Sequence, residues 1–151
     1  MPSAYIDGLK MLGRRELSEK QVRQRLARKE YEPDEIEEAV ARLREERAIN
    51  DQRVAEAIAR METGIRKRGK VRVRMQLERA GIAKDTAKAA IEDVFGSIDD
   101  AALLESSLNK RLRGRETIAD DREFQRLFRY LIGQGFESDR VMQALRAKRK
   151  R

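Results

Sequence analysis

One apolar pattern occurs three times in the chain without a gap. Leu26, Tyr31, Asp34, Ile36, Ala39 and Val40 are followed at identical offsets by Leu77, Ile82, Asp85, Ala87, Ala90 and Ile91, then by Leu131, Phe136, Asp139, Val141, Ala144 and Leu145. The anchor leucines stand 51 and 54 residues apart. Self-similarity at a fixed period of this length is the mark of an array of small units, not of one globule. The repeat therefore predicts one structural unit per copy.

The spacing within a copy dictates helices. Val22 and Leu26, Val73 and Leu77, and Leu127 and Leu131 are i,i+4 pairs, which share one helical face. Each such helix runs into a short corner, Gly81-Ile82 in the second copy, Gly135-Phe136 in the third and Glu30-Tyr31 in the first. Glycine can take the left-handed conformation that follows a helix end, and the apolar residue after it can plug the corner. Asp34, Asp85 and Asp139 are expected to cap the next helix, whose buried face repeats as Ile36/Ala39/Val40/Leu43, Ala87/Ala90/Ile91/Val94 and Val141/Ala144/Leu145. A shared alanine slot predicts a close helix crossing there.

A further helix precedes each pair, carried by Tyr5/Ile6/Leu9/Leu12, Val54/Ala55/Ile58/Ala59/Met61 and Ala101/Leu104/Leu108/Leu112. Ser3, Asn50-Asp51 and Ser97-x-Asp99-Asp100 stand where caps for these helices belong, and Ser18 and Asp120-Asp121 where the middle helices begin. The expected fold is all-α, three tandem three-helix repeats over 3–48, 49–96 and 97–147 forming an extended array, with a basic tail at 148–151. Charged residues are 41% and aromatics 5% of the chain, against about 25% charged in ordinary globular domains. Such a chain has little apolar mass for one thick core, whereas stacked units need only thin layers.

The absences narrow the function. With no His and no Cys, the usual general base, thiol nucleophile, zinc ligands and disulfides are missing, so no enzyme, metal or cofactor is expected. The acidic pairs Asp99-Asp100 and Asp120-Asp121 are read as helix starts. No phosphate-binding GxxxxGK[ST] loop occurs. Neither a run approaching the ~20 apolar residues of a membrane span nor a signal-peptide core is visible, so a cytoplasmic protein without membrane association is expected.

Charge is what remains, and it is focused. From Arg60 to Arg79 eight basic residues face two acids, and from Arg140 to Arg151 six basic residues face none. The whole chain carries +8, so the remainder sums to −4. A focused positive field attracts a polyanion and raises its association rate, and nucleic-acid phosphates are the obvious cellular candidate. Arg66, Lys67, Arg68, Lys70, Arg72 and Arg74 lie in a loop and the helix start after it, where cations oppose the helix dipole and no i,i+4 acid is expected to offset them. They are the first candidates for phosphate contact. Arg23, Arg25, Lys110, Arg111, Lys148 and Arg149 are weaker ones, and the last two equally suit a frayed helix end. Tyr5, Tyr31, Tyr130, Phe124 and Phe128 fit core spacing better than base stacking.

Ser18-Glu19-x2-Val22 with Leu26, Ile49-x-Asp51-x2-Val54-Ala55, Arg68-Gly69, Gly81-Ile82 and Gly135-Phe136, in this order and over nearly the whole chain, resemble the RecX family of bacterial regulators of the RecA recombinase. Val54 departs from the pattern at a position where an aromatic is usual, and the first unit lacks the corner glycine. The resemblance implies an all-α, elongated, curved protein that lies along the groove of a RecA filament on single-stranded DNA, inhibits filament growth and suppresses recombinase activity and ATP hydrolysis. Single-stranded DNA, double-stranded DNA and the recombinase filament are the partners to test. A monomer is expected, since no coiled-coil stripe is present. Two alternatives stay open: a stand-alone nucleic-acid-binding or architectural protein, and a protein scaffold whose cations are merely solvated.

Overall fold

The computed structural model describes residues 3–149. Among them are nine α-helices and no strand: α1 Ala4–Arg14, α2 Glu19–Arg28, α3 Pro33–Glu45, α4 Asp51–Arg60, α5 Lys70–Arg79, α6 Lys84–Ser97, α7 Asp100–Leu112, α8 Asp121–Gly133 and α9 Ser138–Ala147. Sequence periodicity missed one element. α4 runs into a π-helical turn at Met61–Ile65, where Arg66 N–H donates five residues back to the Met61 carbonyl at 3.2 Å. The Thr63 hydroxyl donates to the Ala59 carbonyl at 2.8 Å, a back-bond of the kind that loosens helix geometry.

The chain forms two compact units, residues 1–57 with 77–90, and residues 58–76 with 91–151. In the first, α1, α2 and α3 bury Leu17, Val22, Leu26, Ile36, Ala39, Val40, Leu43 and Ile49, with Tyr5, Leu12 and Tyr31 packed at the edge. In the second, α7, α8 and α9 bury Leu104, Leu108, Leu112, Ile118, Leu127, Leu131, Phe136, Val141 and Leu145. The middle helices bury Val54, Ala55, Ala59, Val73, Leu77, Ile82, Ala87, Ala90, Ile91 and Val94. The alanine slot is buried at Ala39 and Ala90 and half-buried at Ala144.

The three corners share one hydrogen-bond pattern. Tyr31, Ile82 and Phe136 donate to the carbonyls of Leu26, Leu77 and Leu131, and Glu30, Gly81 and Gly135 donate to Ala27, Glu78 and Ile132. This is the double bond of a Schellman motif, and it requires a left-handed residue. Gly81 and Gly135 supply it with φ of 79° and 99°, and Glu30 supplies it with φ of 66°. A side chain in that region costs about 1 kcal/mol. Glu30→Gly is therefore expected to raise the melting temperature by about 3 °C for a chain of this size, read in a thermal unfolding scan.

Capping corrects one expectation and supports the others. Ser3, Ser18, Asp99 and Asp120 cap α1, α2, α7 and α8 through their side chains, and Asn50 Oδ1 accepts from Arg53 N–H at 3.1 Å at the start of α4. Asp34, Asp85 and Asp139 are not caps. They lie inside the first turns of α3, α6 and α9, where a carboxylate favours the helix dipole without bonding a free amide.

Candidate nucleic-acid interface

The loop 66–69 and the start of α5 are held in place by their neighbours in the second unit. Arg68 N–H donates to the Glu62 carbonyl at 2.8 Å, Gly69 N–H to the Gln134 carbonyl at 2.9 Å and Val71 N–H to the Gly135 carbonyl at 2.9 Å. Carbonyls from the α8–α9 corner thus satisfy amides that would be free at a helix start. The approach leaves no room for side chains: a Cβ on Gly69 would lie 2.5 Å from the Gly135 oxygen, and one on Gly135 would lie 2.3 Å from Arg72 Cβ. Arg72 is thereby fixed at the backbone.

On this frame Arg66, Lys67 and Arg74 are exposed, and Arg68, Lys70 and Arg72 are half-buried. No acid pairs with Lys67, Arg68, Arg72 or Arg74 among the described residues. The Nε atoms of Arg68 and Arg72 are buried with no hydrogen-bond partner among the described residues. Lys70 lies 5.4 Å from the centre of the Phe95 ring. Burial pushes the Asp100 carboxyl up from its ordinary range, against the pull of Arg140 and Lys70. Arg66 departs from expectation, because it does have an i,i+4 partner: it meets Glu62, whose side chain is 3% exposed, at 3.1 Å. The i,i+4 spacing of Glu62 and Arg66 was a signal in the sequence; the burial of Glu62 in the π-helical turn was not.

The remaining predicted cations are dispersed. Arg23 and Arg25 belong to the first unit, and Arg23 is held by Glu37 at 2.8 Å and Glu19 at 2.9 Å. The tail is not frayed over its described part: Ile118 N–H donates to the Lys148 carbonyl at 2.8 Å, Lys148 pairs with Glu105 at 2.8 Å and Arg149 with Asp121 at 2.6 Å. Lys150 and Arg151 lie outside the described residues. The aromatic side chains behave as packing residues with polar tips. Tyr31 donates its hydroxyl to Asp7, which raises the phenol to about 12 and lowers the carboxyl. Tyr5 bonds Glu46, and Arg42 lies 3.7 Å above its ring.

Lys110 and Arg111 are part of a larger feature. Together with Arg113, Arg115, Glu123, Arg126, Leu127 and Tyr130 they line a cleft of about 690 Å³ between α7 and α8. Its one carboxylate is fully engaged: Glu123 accepts from Arg115 at 2.8 and 2.6 Å and from Ala119 N–H at 2.9 Å. The Arg115 bond is the main cause that lowers Glu123 to about 2. Because this folded-state value lies below the unfolded ~4.3, the stabilisation is present above that pH and is lost as pH falls towards 2. In urea unfolding, Glu123→Gln is expected to be less stable at neutral pH and to lose less stability than the parent between about pH 4.5 and 2. Arg113, Arg115 and Arg126 escaped the sequence reading, although the run Lys110-Arg111-Leu112-Arg113-Gly114-Arg115 was a signal.

The comparisons with known proteins agree with this architecture. Family models described as "RecX, first three-helix domain" and "RecX, second three-helix domain" match residues 4–43 and 50–91. "Regulatory protein RecX" of Syntrophotalea carbinolica is 33% identical over 136 residues, covering 89% of this chain and 89% of that protein. The chain belongs to the RecX family. A second relative, "Regulatory protein RecX" of Halorhodospira halophila, is 30% identical over 139 residues, covering 92% of this chain and 84% of its own length. The crystal structure of RecX from Lactobacillus salivarius superposes with a TM-score of 0.73 at 20% identity, over 95% of this chain and 92% of that one, and so shares the fold. No helix among the described residues is long and apolar enough to cross a membrane.

Proposed function

We propose that this RecX-family regulator binds RecA-type recombinase filaments on single-stranded DNA as a monomer, inhibits their growth, and contacts DNA phosphates through Lys67, Arg68, Lys70, Arg72 and Arg74. One observation carries the reading: a run of basic side chains, four of them with no acid paired among the described residues, stands on a hydrogen-bonded frame in a protein of a regulatory family. Unpaired cations held in place bind polyanions without first breaking internal ion pairs. Arg66 contributes charge as well, while also neutralising Glu62. The repeat register 3–48, 49–96 and 97–147 belongs to the same proposal and is supported by the matching corners.

Lys67 adds a backbone argument. Its φ is 57°, a left-handed position where glycine would be cheaper. A lysine kept there at a conformational cost points to a use for its charge. It also allows a clean test, since Lys67→Gly with Arg74→Ala removes two exposed charges while favouring the local backbone at both positions. The test is recombinase ATP hydrolysis on single-stranded DNA in excess. Inhibition is expected well below one protein per recombinase, and the double variant should need about tenfold more protein, with a salt slope shallower by about 1.4. Inhibition only at saturation of the DNA would sink the recombinase reading. It would favour the second reading, a stand-alone nucleic-acid binder, which the same focused charge supports without any recombinase.

A further inference from the structure

The α7–α8 cleft is unlike the rest of the charged surface. Its cations come from three places, α7 (Lys110, Arg111), the loop after it (Arg113, Arg115) and α8 (Arg126), yet they converge on one concavity. Against these five stands Glu123, already neutralised by Arg115. Lys110 and Arg113 have no acidic partner among the described residues. Cations at a helix C-terminus are ordinarily explained by the helix dipole, and that accounts for Lys110 and Arg111. It covers the charge of Arg113 at the cap as well, but not its left-handed backbone, nor Arg126 near the middle of the next helix, which lies 3.9 Å from the Glu123 carboxylate that Arg115 already holds.

Arg113 is the informative residue. It caps α7 with φ of 52° and ψ of 46°, a left-handed position where glycine is the cheaper residue. As at Lys67, a cation occupies a place that local backbone energetics would give to glycine. The second feature is Arg111, whose guanidinium lies 3.8 Å from the centre of the Tyr130 ring. Tyr130 forms part of the cleft wall, so this flat pair borders the cationic surface. A stacked arginine presents a planar cationic face on which an unpaired base can rest, and duplex DNA, whose bases are already stacked, offers nothing equivalent.

We infer that the cleft between α7 and α8 is a second binding site, separate in sequence from the 66–74 patch, that takes the phosphodiester backbone of a single nucleic-acid strand with a base against the Arg111–Tyr130 pair. Lys110, Arg113 and Arg126 meet the phosphates; Arg115 holds Glu123 out of their way. The site requires only a single strand, so its test contains no recombinase and its fate is separable from that of the filament reading.

The decisive variant is Lys110→Ala with Arg113→Gly in the full chain. Alanine is the better helix former and glycine the better left-handed residue, so the variant should fold at least as well as the parent. Affinity for a fluorescein-labelled oligothymidylate, read by anisotropy at low salt, is expected to fall about tenfold, with a salt slope shallower by about 1.4. Affinity for a duplex of equal length should change much less. Arg111→Lys, which keeps the charge and loses the planar face, should weaken the single strand about threefold and leave the duplex unaltered. Unchanged single-strand affinity in the double variant overturns the site, as does an equal loss on duplex. Single-strand loss in the cleft variant, with the parent protein failing to inhibit recombinase hydrolysis in the separate assay, would leave the cleft standing and remove the filament reading.

Discussion

Gly135→Ala is expected to destabilise the second unit by about 3 kcal/mol, the largest effect of any single methyl group in the protein. Two costs add at this residue. Its φ of 99° lies outside the region that an L side chain tolerates. The new Cβ would also stand 2.5 Å from Arg72 N and 2.9 Å from Arg72 Cα, which are backbone atoms and cannot rotate away. Relief requires α5 to move off the α8–α9 corner, and with it the bond from Val71 N–H to the Gly135 carbonyl. Because the same contact positions Arg72, Lys70 and Arg74, weaker DNA binding should accompany the lower urea midpoint. Gly133→Ala, where a Cβ meets nothing within 4 Å, is the control and should be neutral or slightly stabilising.

Arg66→Ala is expected to cost about 2 kcal/mol, several times the cost of removing its neighbour Lys67. Glu62 is almost wholly buried, one of its oxygens has no hydrogen-bond partner among the described residues, and Arg66 neutralises the other. Removing the cation leaves a buried carboxylate uncompensated, and that penalty, not the lost attraction, dominates. Arg66 is itself 50% exposed, which keeps the loss below the 3–5 kcal/mol typical of a fully buried pair. Adding Glu62→Met should recover most of the stability, because a buried ion pair replaced by apolar volume is often neutral. Urea unfolding of the two single variants and the double variant closes the cycle. If Arg66→Ala alone proves neutral, the pair is ordinary surface and Arg66 rejoins the free cations.

These two results mark where sequence and structure each had the say. The periodic apolar faces determined the nine helices over the described residues, because an i, i+3, i+4 set such as Val141, Ala144 and Leu145 faces one core in a helix, whereas a strand would turn Ala144 to the opposite side. Ser3, Ser18, Asp99 and Asp120 marked helix starts for an equally local reason, since a cap bonds an amide two or three residues away. Gly81 and Gly135 announced their corners through their lack of a Cβ. The corner at Glu30 was placed by its register with the other two and not by its residue type.

What lay beyond the sequence depended on atoms distant along the chain. The π-turn that buries Glu62 is a choice between i−4 and i−5 partners, too small an energy difference for periodicity to reveal. The status of each cation was likewise undecided, because an arginine is free or spent according to which carboxylate the fold brings near. Arg23 met Glu37 and Lys148 met Glu105, while Lys67 and Lys110 met no acid among the described residues. Composition supplied the excess of positive charge; only the packing of α5 on the α8–α9 corner and of α7 on α8 decided which of those charges stand unpaired. Local rules act over one helical turn, whereas ion pairing and close backbone approach are settled by the fold as a whole.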